Sequence, residues 1–320
     1  MKKQLLLVCF LVLGFTTLTQ AADFTISINQ FVEHPALDAV LKGFQDYFTE
    51  KGIAVDYKIH NAQANQGTAT QIATQMIGEQ PDLLMAIATP SAQACAQALD
   101  RAPANMKRPF LFTAVTDPVA AGLVKNLEQP GGLISGVSDL LPVEDHIRMV
   151  LEYKPDIKTL GVLYNAGEAN SKATVATIMS LSEKLGYKVI ESTAARTADV
   201  FQAARSLVGR VDAIFIPTDN TIISALENVL KVGIRNQLPV FAADVDSVKR
   251  GAVAAMGFDY YRHGYQTGPM AEKILNGAKP GTLPVEFQKD LELHINATAS
   301  EKMGVTPPQA LLEKATQIYR

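Results

Sequence analysis

The stretch "PDLLMAIATPSAQA", residues 81–94, decides the fold of this chain. Its apolar run from Leu83 to Ala88 favours a buried strand, and Thr89, Pro90 and Ser91 follow at once with the residue types that begin helices. The same plan returns as "VDAIFIPTDNTIISA" at residues 211–225. The two segments predict one kind of strand-to-helix unit in two halves of the chain.

A second pair of segments repeats with nearly the same offset. "TEKGIAVDYKIHNA" at 49–62 is echoed by "SEKLGYKVIESTA" at 182–194, and each reads as a helix end that runs into a strand. The offset of about 130 residues is far longer than the period of a solenoid, which is about 20 to 50 residues. The chain of 320 residues therefore predicts two lobes of one topology.

Short apolar runs alternate with helical patterns along the rest of the chain. The predicted strands are 24–31, 55–60, 83–88, 110–115, 159–164, 188–192, 213–217 and 240–243. Strand and helix alternating at this rhythm are typical of parallel sheets with helices on both faces. We therefore expect an α/β fold with two Rossmann-like lobes.

Residues 1–22 have the pattern of a secretory signal peptide. Lys2 and Lys3 precede an apolar run from Leu5 to Leu18, and small residues follow at Ala21 and Ala22, where we expect cleavage. The apolar run is too short for a membrane-spanning helix, which needs about 20 residues. A lipid anchor on Cys9 is the alternative, but Cys9 follows Val8 rather than a small residue. The pattern predicts export to the periplasm.

The charge of the chain excludes one large class of partner. Lys and Arg number 29 and Asp and Glu 32, so the net charge is -3, and loss of Lys2 and Lys3 would make it -5. Nucleic-acid binding calls for clustered basic residues, and none is expected here. Cys95 remains alone after the leader, either as a small buried residue or as a reactive thiol.

Enzymatic motifs and cofactor motifs are missing from the sequence. It contains no G-x-S-x-G, G-x-G-x-x-G or G-x-x-x-x-G-K motif, and its five histidines lack the close pairing of common zinc sites. We therefore predict neither an enzyme nor a metal or cofactor site.

Polar clusters follow the predicted strands in both halves of the chain. They are "QFVEHP" (30–35), "ATPSAQ" (88–93), "TDP" (116–118), "YNAGEANS" (164–171), "PTDN" (217–220) and "ADVDS" (243–247). Ligands of open α/β sheets bind outside the carboxyl ends of the strands. The candidate ligand-binding residues are accordingly Gln30, Phe31, His34, Thr89, Ser91, Thr116, Asp117, Tyr164, Asn165, Asn170, Ser171, Thr218, Asp219, Asn220 and Asp244.

The same residues admit a purely structural interpretation. Thr89, Ser91, Ser171 and Asn220 are of types that cap helices, and Asp117 before Pro118 suits a turn. Capping and ligand binding are compatible, because a hydroxyl at a cap already faces the strand ends.

Seven segments in order give the chain a family resemblance. They are "QFVEHPALD", "ATPSAQA", "VTDPVAAGLV", "LISGVSD", "YNAGEANS", "PTDN" and "GFDYYRHG". With them the chain resembles the substrate-binding proteins of ABC importers, in the branch with tryptophan- and tyrosine-binding members. The resemblance implies a type I periplasmic binding protein, a monomer whose two lobes close on a small solute and deliver it to a membrane permease. A sensor that presents its solute to a receptor or kinase, or a non-aromatic solute, remains open.

The candidate residues suit an aromatic amino acid. Helix N-termini with Thr89, Ser91, Asn170 and Ser171 would hold a carboxylate. Asp117, Asp219 or Asp244 would hold the ammonium group, and we favour one of the first two. Phe31, Tyr164, Phe258 and Tyr260 are candidates for flat apolar walls.

Each lobe needs strands from both halves of the chain. We assign 23–137 with 258–285 to lobe 1 and 138–257 with 286–320 to lobe 2. The crossings are expected near 136–139, 257–260 and 284–296. The resemblance to type I binding proteins implies that helix 264–275 returns to lobe 1, and a C-terminal helix with Ala310, Leu311 and Ile318 apolar should then pack on lobe 2.

Overall fold

The computed structural model describes residues 22–320, so the predicted signal peptide, apart from Ala22, lies outside the described residues. The first half of the chain forms β1 (Phe24–Gln30), α1 (Pro35–Lys51), β2 (Val55–Asn61), α2 (Gln66–Glu79), β3 (Leu83–Ile87), α3 (Thr89–Arg101), β4 (Phe110–Thr113) and β5 (Ile134–Ser138). The second half forms α4 (Val143–Tyr153), β6 (Thr159–Tyr164), α5 (Ala169–Leu185), β7 (Lys188–Thr193), α6 (Val200–Ser206), β8 (Ala213–Ile216), α7 (Asn220–Ser224), α8 (Leu226–Arg235), β9 (Val240–Ala242), α9 (Asp246–Arg250) and β10 (Ala254–Gly257). The remainder forms α10 (Tyr260–Leu275), β11 (Glu286–Phe287), β12 (Glu292–Asn296), α11 (Ala297–Lys302), α12 (Gln309–Lys314) and β13 (Gln317–Tyr319).

The first lobe is built on a six-stranded parallel sheet with the order β11-β5-β4-β3-β1-β2. Every residue of β3 and β4 is buried. Such continuous apolar strands are typical of a parallel sheet that helices cover on both faces. The segment 81–94 thus forms a central strand of this sheet, β3, and the start of helix α3.

The second lobe has the parallel order β7-β6-β8-β9. A further sheet, β10-β12-β13, adjoins it, and the Val253 N–H donates to the Val240 carbonyl at 2.8 Å. The pair β10 and β12 is antiparallel, which the prediction of parallel sheets did not include. The chain leaves the second lobe through β10 and re-enters it through β12, so the two strands run in opposite directions.

All eight predicted strands are present, with ends that differ by no more than two residues. The predicted crossing near 136–139 coincides with the end of β5, which is itself a strand of the first sheet. Our division gives residues 138 and 139 to lobe 2, but Ser138 ends β5 and the Asp139 N–H donates to the Val115 carbonyl at 3.3 Å, so both belong to the first lobe. Glu286–Phe287 pairs with β5, so these two residues join the first sheet, whereas our division gives them to lobe 2. The expected C-terminal helix ends at Lys314, and Ile318 lies on β13.

Helix α10 packs closely along α1 in the first lobe. Glycines make the approach possible: a Cβ on Gly264 would lie 1.9 Å from the Val40 carbonyl oxygen, and one on Gly43 would lie 2.0 Å from the Tyr261 carbonyl oxygen. A side chain at either position would force the helices apart. This contact fixes the N-terminus of α10, and with it Tyr260, beside the strand ends.

Candidate functional site

A small cavity lies between the two lobes, at the carboxyl ends of their strands. It is lined by His34, Ala36, Leu37, Ala114, Thr116, Asp139, Asn170, Thr218, Asp219, Asn220, Ile223, Asp244 and Tyr260. Its volume of about 20 Å³ is on the scale of one water molecule. The lobes are therefore closed on each other, and they must separate to admit a solute of amino-acid size.

On the side of the first lobe the backbone is strained where two central strands end. Ala88 after β3 has φ 80°, and Ala114 after β4 has φ 51°, a region that residues with a Cβ rarely adopt. The Ala114 N–H donates to Nε2 of buried His263 at 3.1 Å. Beside Ala88, the Thr89 hydroxyl is buried without a hydrogen-bond partner. Strained backbone of this kind clusters at functional sites.

Asp139 follows β5 and contributes a buried carboxylate to the cavity. The Tyr260 hydroxyl donates to Asp139 Oδ2 at 3.0 Å, whereas Oδ1 is buried without a partner. Burial raises the pKa of Asp139 to about 6, and the nearby Thr116 side chain and the hydrogen bond from Tyr260 oppose that rise. The residue thus offers one unused acceptor oxygen and a charge that lacks a counterion.

On the side of the second lobe, two buried carboxylates organise the strand ends. Asp219 Oδ2 accepts from the Asn165 N–H and the Ser171 hydroxyl, each at 2.6 Å, and Asp219 Oδ1 accepts from the Ile222 N–H at 2.8 Å. Burial, and next the charge of Glu168, raise the pKa of Asp219 to about 8. Both of its oxygens already have partners within the second lobe, so Asp219 offers no unused acceptor to an ammonium group.

Asn170, at the start of α5, supplies a second unused acceptor. Its Nδ2 donates to the Thr218 carbonyl at 2.7 Å, and its Oδ1 is buried without a partner. Asn170 and Asp139 come from opposite lobes and line the same cavity. The closed cleft therefore presents two unpaired acceptor oxygens to whatever lies between the lobes.

His34 caps the N-terminus of α1 and lines the cavity from the first lobe. Its Nδ1 accepts from the Leu37 N–H at 3.5 Å. Burial, and next the charge of Arg250, lower the pKa of His34 to about 3, and a contact with the Asn220 side chain opposes that change. The imidazole is therefore neutral, with its proton on Nε2, and it faces Asn220 across the cleft.

The structure brings together about half of the residues predicted for the site. Those that line the cavity are His34, Thr116, Asn170, Thr218, Asp219, Asn220 and Asp244. Those that do not are Gln30, Phe31, Thr89, Ser91, Asp117, Tyr164, Asn165 and Ser171. Asn165 and Ser171 support the cavity from behind through their bonds to Asp219.

Several of the residues outside the cavity have a structural contact instead. Gln30 donates to Asp38 at 2.7 Å, and the Ser91 hydroxyl donates to Asn29 at 2.8 Å. Asp117 accepts from the Val119 and Ala120 N–H groups, so it holds a turn.

Of the four aromatic candidates, only Tyr260 lines the cavity. Phe31 is buried in the core, Phe258 stacks on His263 at a centroid distance of 5.3 Å, and the Tyr164 hydroxyl donates to Glu191.

Asp139 is the residue that the sequence prediction missed. The sequence pattern predicts a crossing between the lobes near 136–139, the end of "LISGVSD", so Asp139 is not among the predicted strand-end carboxylates. Its signal in the sequence is weak, because the preceding residues "ISGVS" mix apolar and small polar types and lack the continuous apolar run of β8, which precedes Asp219.

Two further expectations concern the rest of the chain. Cys95 is buried, and its burial raises the pKa of the thiol to about 12, which favours the interpretation as a small core residue. Between residues 22 and 320, no helix is long and apolar enough to cross a membrane.

Comparison with known proteins gives a consistent result. The family model described as ABC transporter substrate binding protein matches residues 25–319. A tyrosine-binding protein of Clostridioides difficile (strain R20291) is 40% identical over 277 residues, which are 85% of this chain and 78% of the relative. An ABC domain in complex with L-Trp, from Streptococcus pneumonia, has a TM-score of 0.86 at 33% identity, and the match covers 92% of this chain and 99% of that one.

A ligand-free, open substrate binding protein with adhesive properties from Clostridium difficile shares 38% identity at the same coverage, but its TM-score is only 0.66. The open structure is thus more similar in sequence than the L-Trp complex and less similar in shape. The greater similarity to the L-Trp complex and the small cavity both agree with a closed arrangement of the lobes. By the match over residues 25–319 and the close relatives, this chain belongs to the family of ABC transporter substrate binding proteins.

Proposed function

We propose that this protein captures an aromatic α-amino acid in the periplasm, by closure of its two lobes, and delivers it to an ABC permease. One observation carries the proposal: Asp139 Oδ1 and Asn170 Oδ1 are buried acceptors without partners, and they line one cavity from opposite lobes. An ammonium group has three N–H donors and a positive charge. It would satisfy both oxygens and neutralise the Asp139 carboxylate.

The first lobe also offers a place for the ligand carboxylate. The first N–H groups of a helix have no partner within the helix, and they attract anions. Helix α3 begins at Thr89 without a side-chain cap, and the Thr89 hydroxyl is buried without a partner. Ala88 and Ala114 end adjacent strands of the sheet. We propose that opening of the cleft makes this helix end accessible beside Asp139.

The aromatic preference rests on the lining and on the relatives. Leu37, Ile223 and Tyr260 contribute the large apolar surfaces of the cavity wall, and Ala36 and Ala114 contribute small ones. The relative that is 40% identical is named for tyrosine binding, and the similar structure holds L-Trp. Tyrosine and tryptophan combine an apolar ring with a polar group, which suits a cleft of mixed lining.

Closure follows from the division of the site. Each lobe supplies one of the two unused acceptors, so neither lobe alone satisfies the ammonium group. A ligand that bridges both lobes shifts the population toward the closed form. The permease would recognise the spacing of the lobes that closure creates, and we propose that the protein acts as a monomer.

Calorimetric titration of the ligand-free protein tests the proposed ligand. We expect L-tyrosine, L-tryptophan or L-phenylalanine to bind more tightly than L-leucine or L-glutamate. Small-angle scattering with the same ligand should give a smaller radius of gyration in the bound form. Tighter binding of a sugar or a branched aliphatic amino acid would contradict the proposal.

A further inference from the structure

We infer that Glu168, which does not line the cavity, is the positioning residue that makes the second lobe present carbonyl oxygens to the ligand. It would do so by fixing the orientation of the Asn170 and Asn220 side-chain amides. The inference rests on the proposed function, because the group that these oxygens would receive is the ligand's ammonium group.

Glu168 is 2% exposed and immediately precedes α5. Its Oε2 accepts from Asn220 Nδ2 at 2.6 Å, from the Asn220 N–H at 3.2 Å and from Asn170 Nδ2 at 3.3 Å. Its Oε1 accepts from the Thr221 N–H at 3.0 Å and the Thr221 hydroxyl at 2.7 Å. All five contacts come from donors, which is the environment that an ionised carboxylate requires.

A side-chain amide has a donor end and an acceptor end of nearly the same shape, so its surroundings decide which end points where. Asn220 Nδ2 donates to Glu168, so the Oδ1 of the same amide points into the cleft. There it faces the neutral His34, which carries its proton on Nε2. Asn170 is held in the same sense by Glu168 and by the Thr218 carbonyl. Both amides thus present oxygen rather than nitrogen.

The variant Glu168→Gln keeps the shape and replaces one acceptor oxygen by an NH₂ group. If the NH₂ group takes the place of Oε2, it meets the donors of Asn220 and Asn170. If it takes the place of Oε1, it meets the Thr221 N–H. We expect the Asn220 amide to turn, so that its NH₂ group faces the cleft and repels an ammonium group.

The test compares L-tyrosine with 3-(4-hydroxyphenyl)propanoate, the same molecule without its amino group. By calorimetry, Glu168→Gln should weaken L-tyrosine binding about 10- to 100-fold, the range of one hydrogen bond to a charged group. The des-amino compound should change by less than about threefold. A loss of general stability would weaken both compounds equally, so the ratio of the two affinities isolates amide orientation.

Glu191→Gln is the matched control, because it removes a carboxylate from the same lobe at a site that contacts Tyr164 outside the cavity. A rescue variant, Glu168→Gln with Asn220→Asp, lets the new Gln donate to residue 220 and returns an oxygen to the cleft. It should recover the preference for L-tyrosine, and it supplies the test if the single variant does not fold.

The outcomes separate the two proposals. If the wild type binds L-tyrosine in preference to the des-amino compound and Glu168→Gln keeps that ratio, the inference alone is overturned. The same holds if the double variant folds and does not recover the preference. If the wild type shows no affinity for aromatic amino acids, the proposed function and the inference both fail.

Discussion

The two lobes differ in how the buried polar groups at their strand ends are hydrogen-bonded. In the first lobe, the strand ends combine strained alanines at 88 and 114 with polar atoms that have no partner, Thr89 Oγ1 and Asp139 Oδ1. In the second lobe, the carboxylates of Glu168 and Asp219 accept hydrogen bonds on both of their oxygens. The lobes share a topology, yet their polar groups are used differently.

This difference indicates which lobe has more polar atoms left for a ligand to bind. A buried polar atom without a partner costs free energy, on the order of 1–3 kcal/mol. The first lobe retains two such atoms where the backbone is also strained, so a bound solute has most to satisfy there. The second lobe is an organised support that keeps one acceptor free, Asn170 Oδ1. Changes in the first lobe should therefore remove direct partners of the ligand, whereas changes behind the second lobe should affect binding through the orientation of the Asn170 and Asn220 amides.

The largest effect should come from Asp139. Asp139→Asn keeps the shape and an acceptor for the Tyr260 hydroxyl, but it removes the charge opposite the ammonium group. Since a buried charge left unpaired costs about 3–5 kcal/mol, we expect affinity for the best amino acid to fall about 100- to 1,000-fold. Calorimetry measures the loss, and the free protein should melt no lower than the wild type.

Asp117→Asn is the control, because Asp117 holds a turn that Asn also tolerates and lies outside the cavity. Wild-type affinity in Asp139→Asn together with a large loss in Asp117→Asn would reverse the assignment of the ammonium site.

Thr89 and Ser91 give a matched pair on one helix end. Thr89→Val removes a hydroxyl without a partner, so the free protein should keep its stability, while affinity should fall about 10- to 100-fold if the hydroxyl binds the ligand carboxylate. Ser91→Ala removes the donor to Asn29, so it should lower the free energy of unfolding by about 1 kcal/mol and leave affinity nearly unchanged. Thermal unfolding measures stability and calorimetry measures affinity. Loss of affinity in Ser91→Ala and loss of stability in Thr89→Val would contradict the assignment.

Acidification should weaken binding through Asp139. With a pKa of about 6, its carboxyl takes up a proton as the pH falls below that value. Affinity should then decrease about tenfold for each further pH unit. Asp139→Asn should flatten this dependence, and an equally steep profile in that variant would point to another group, such as Asp244, whose pKa is also raised by burial.

The stability of the free protein should respond to pH with the opposite sign. The folded pKa of Asp139 lies above its ordinary value of 3.8. Its favourable contribution is therefore complete below about pH 4, and it is lost as the pH rises through about 6. The difference in unfolding free energy between wild type and Asp139→Asn should follow this course.

The smallest effect should come from Tyr260→Phe, which keeps the ring and removes the donor to Asp139 Oδ2. One neutral hydrogen-bond donor contributes about 0.5–1.5 kcal/mol, so affinity should fall about 2- to 10-fold. Loss of the donor should also raise the pKa of Asp139 further, which would move the midpoint of the affinity profile to higher pH. An unchanged midpoint would show that Tyr260 acts only as an apolar wall.

The α/β architecture could be predicted from the sequence, because the patterns that specify its strands and helices are local. A buried parallel strand is a short run of apolar residues, as at Leu83–Ile87 and Ala213–Ile216, and a helix start has its own residue types. Such patterns predict eight strands, two lobes of one topology and a site at the strand ends. Strands without a long apolar run, such as β5, β10 and β13, could not be found in this way.

The sequence could not predict which polar residues at those strand ends face the cleft, because that depends on tertiary packing. Ser91 and Thr89 stand two positions apart in one helix turn, yet one hydroxyl bonds Asn29 and the other has no partner. Asp219 and Asp139 each follow a short buried strand, yet Asp219 accepts three hydrogen bonds within its own lobe and Asp139 keeps an unused oxygen. The reason is that hydrogen-bond satisfaction depends on groups far apart in the chain, such as Tyr260 against Asp139, which only packing of the lobes brings together.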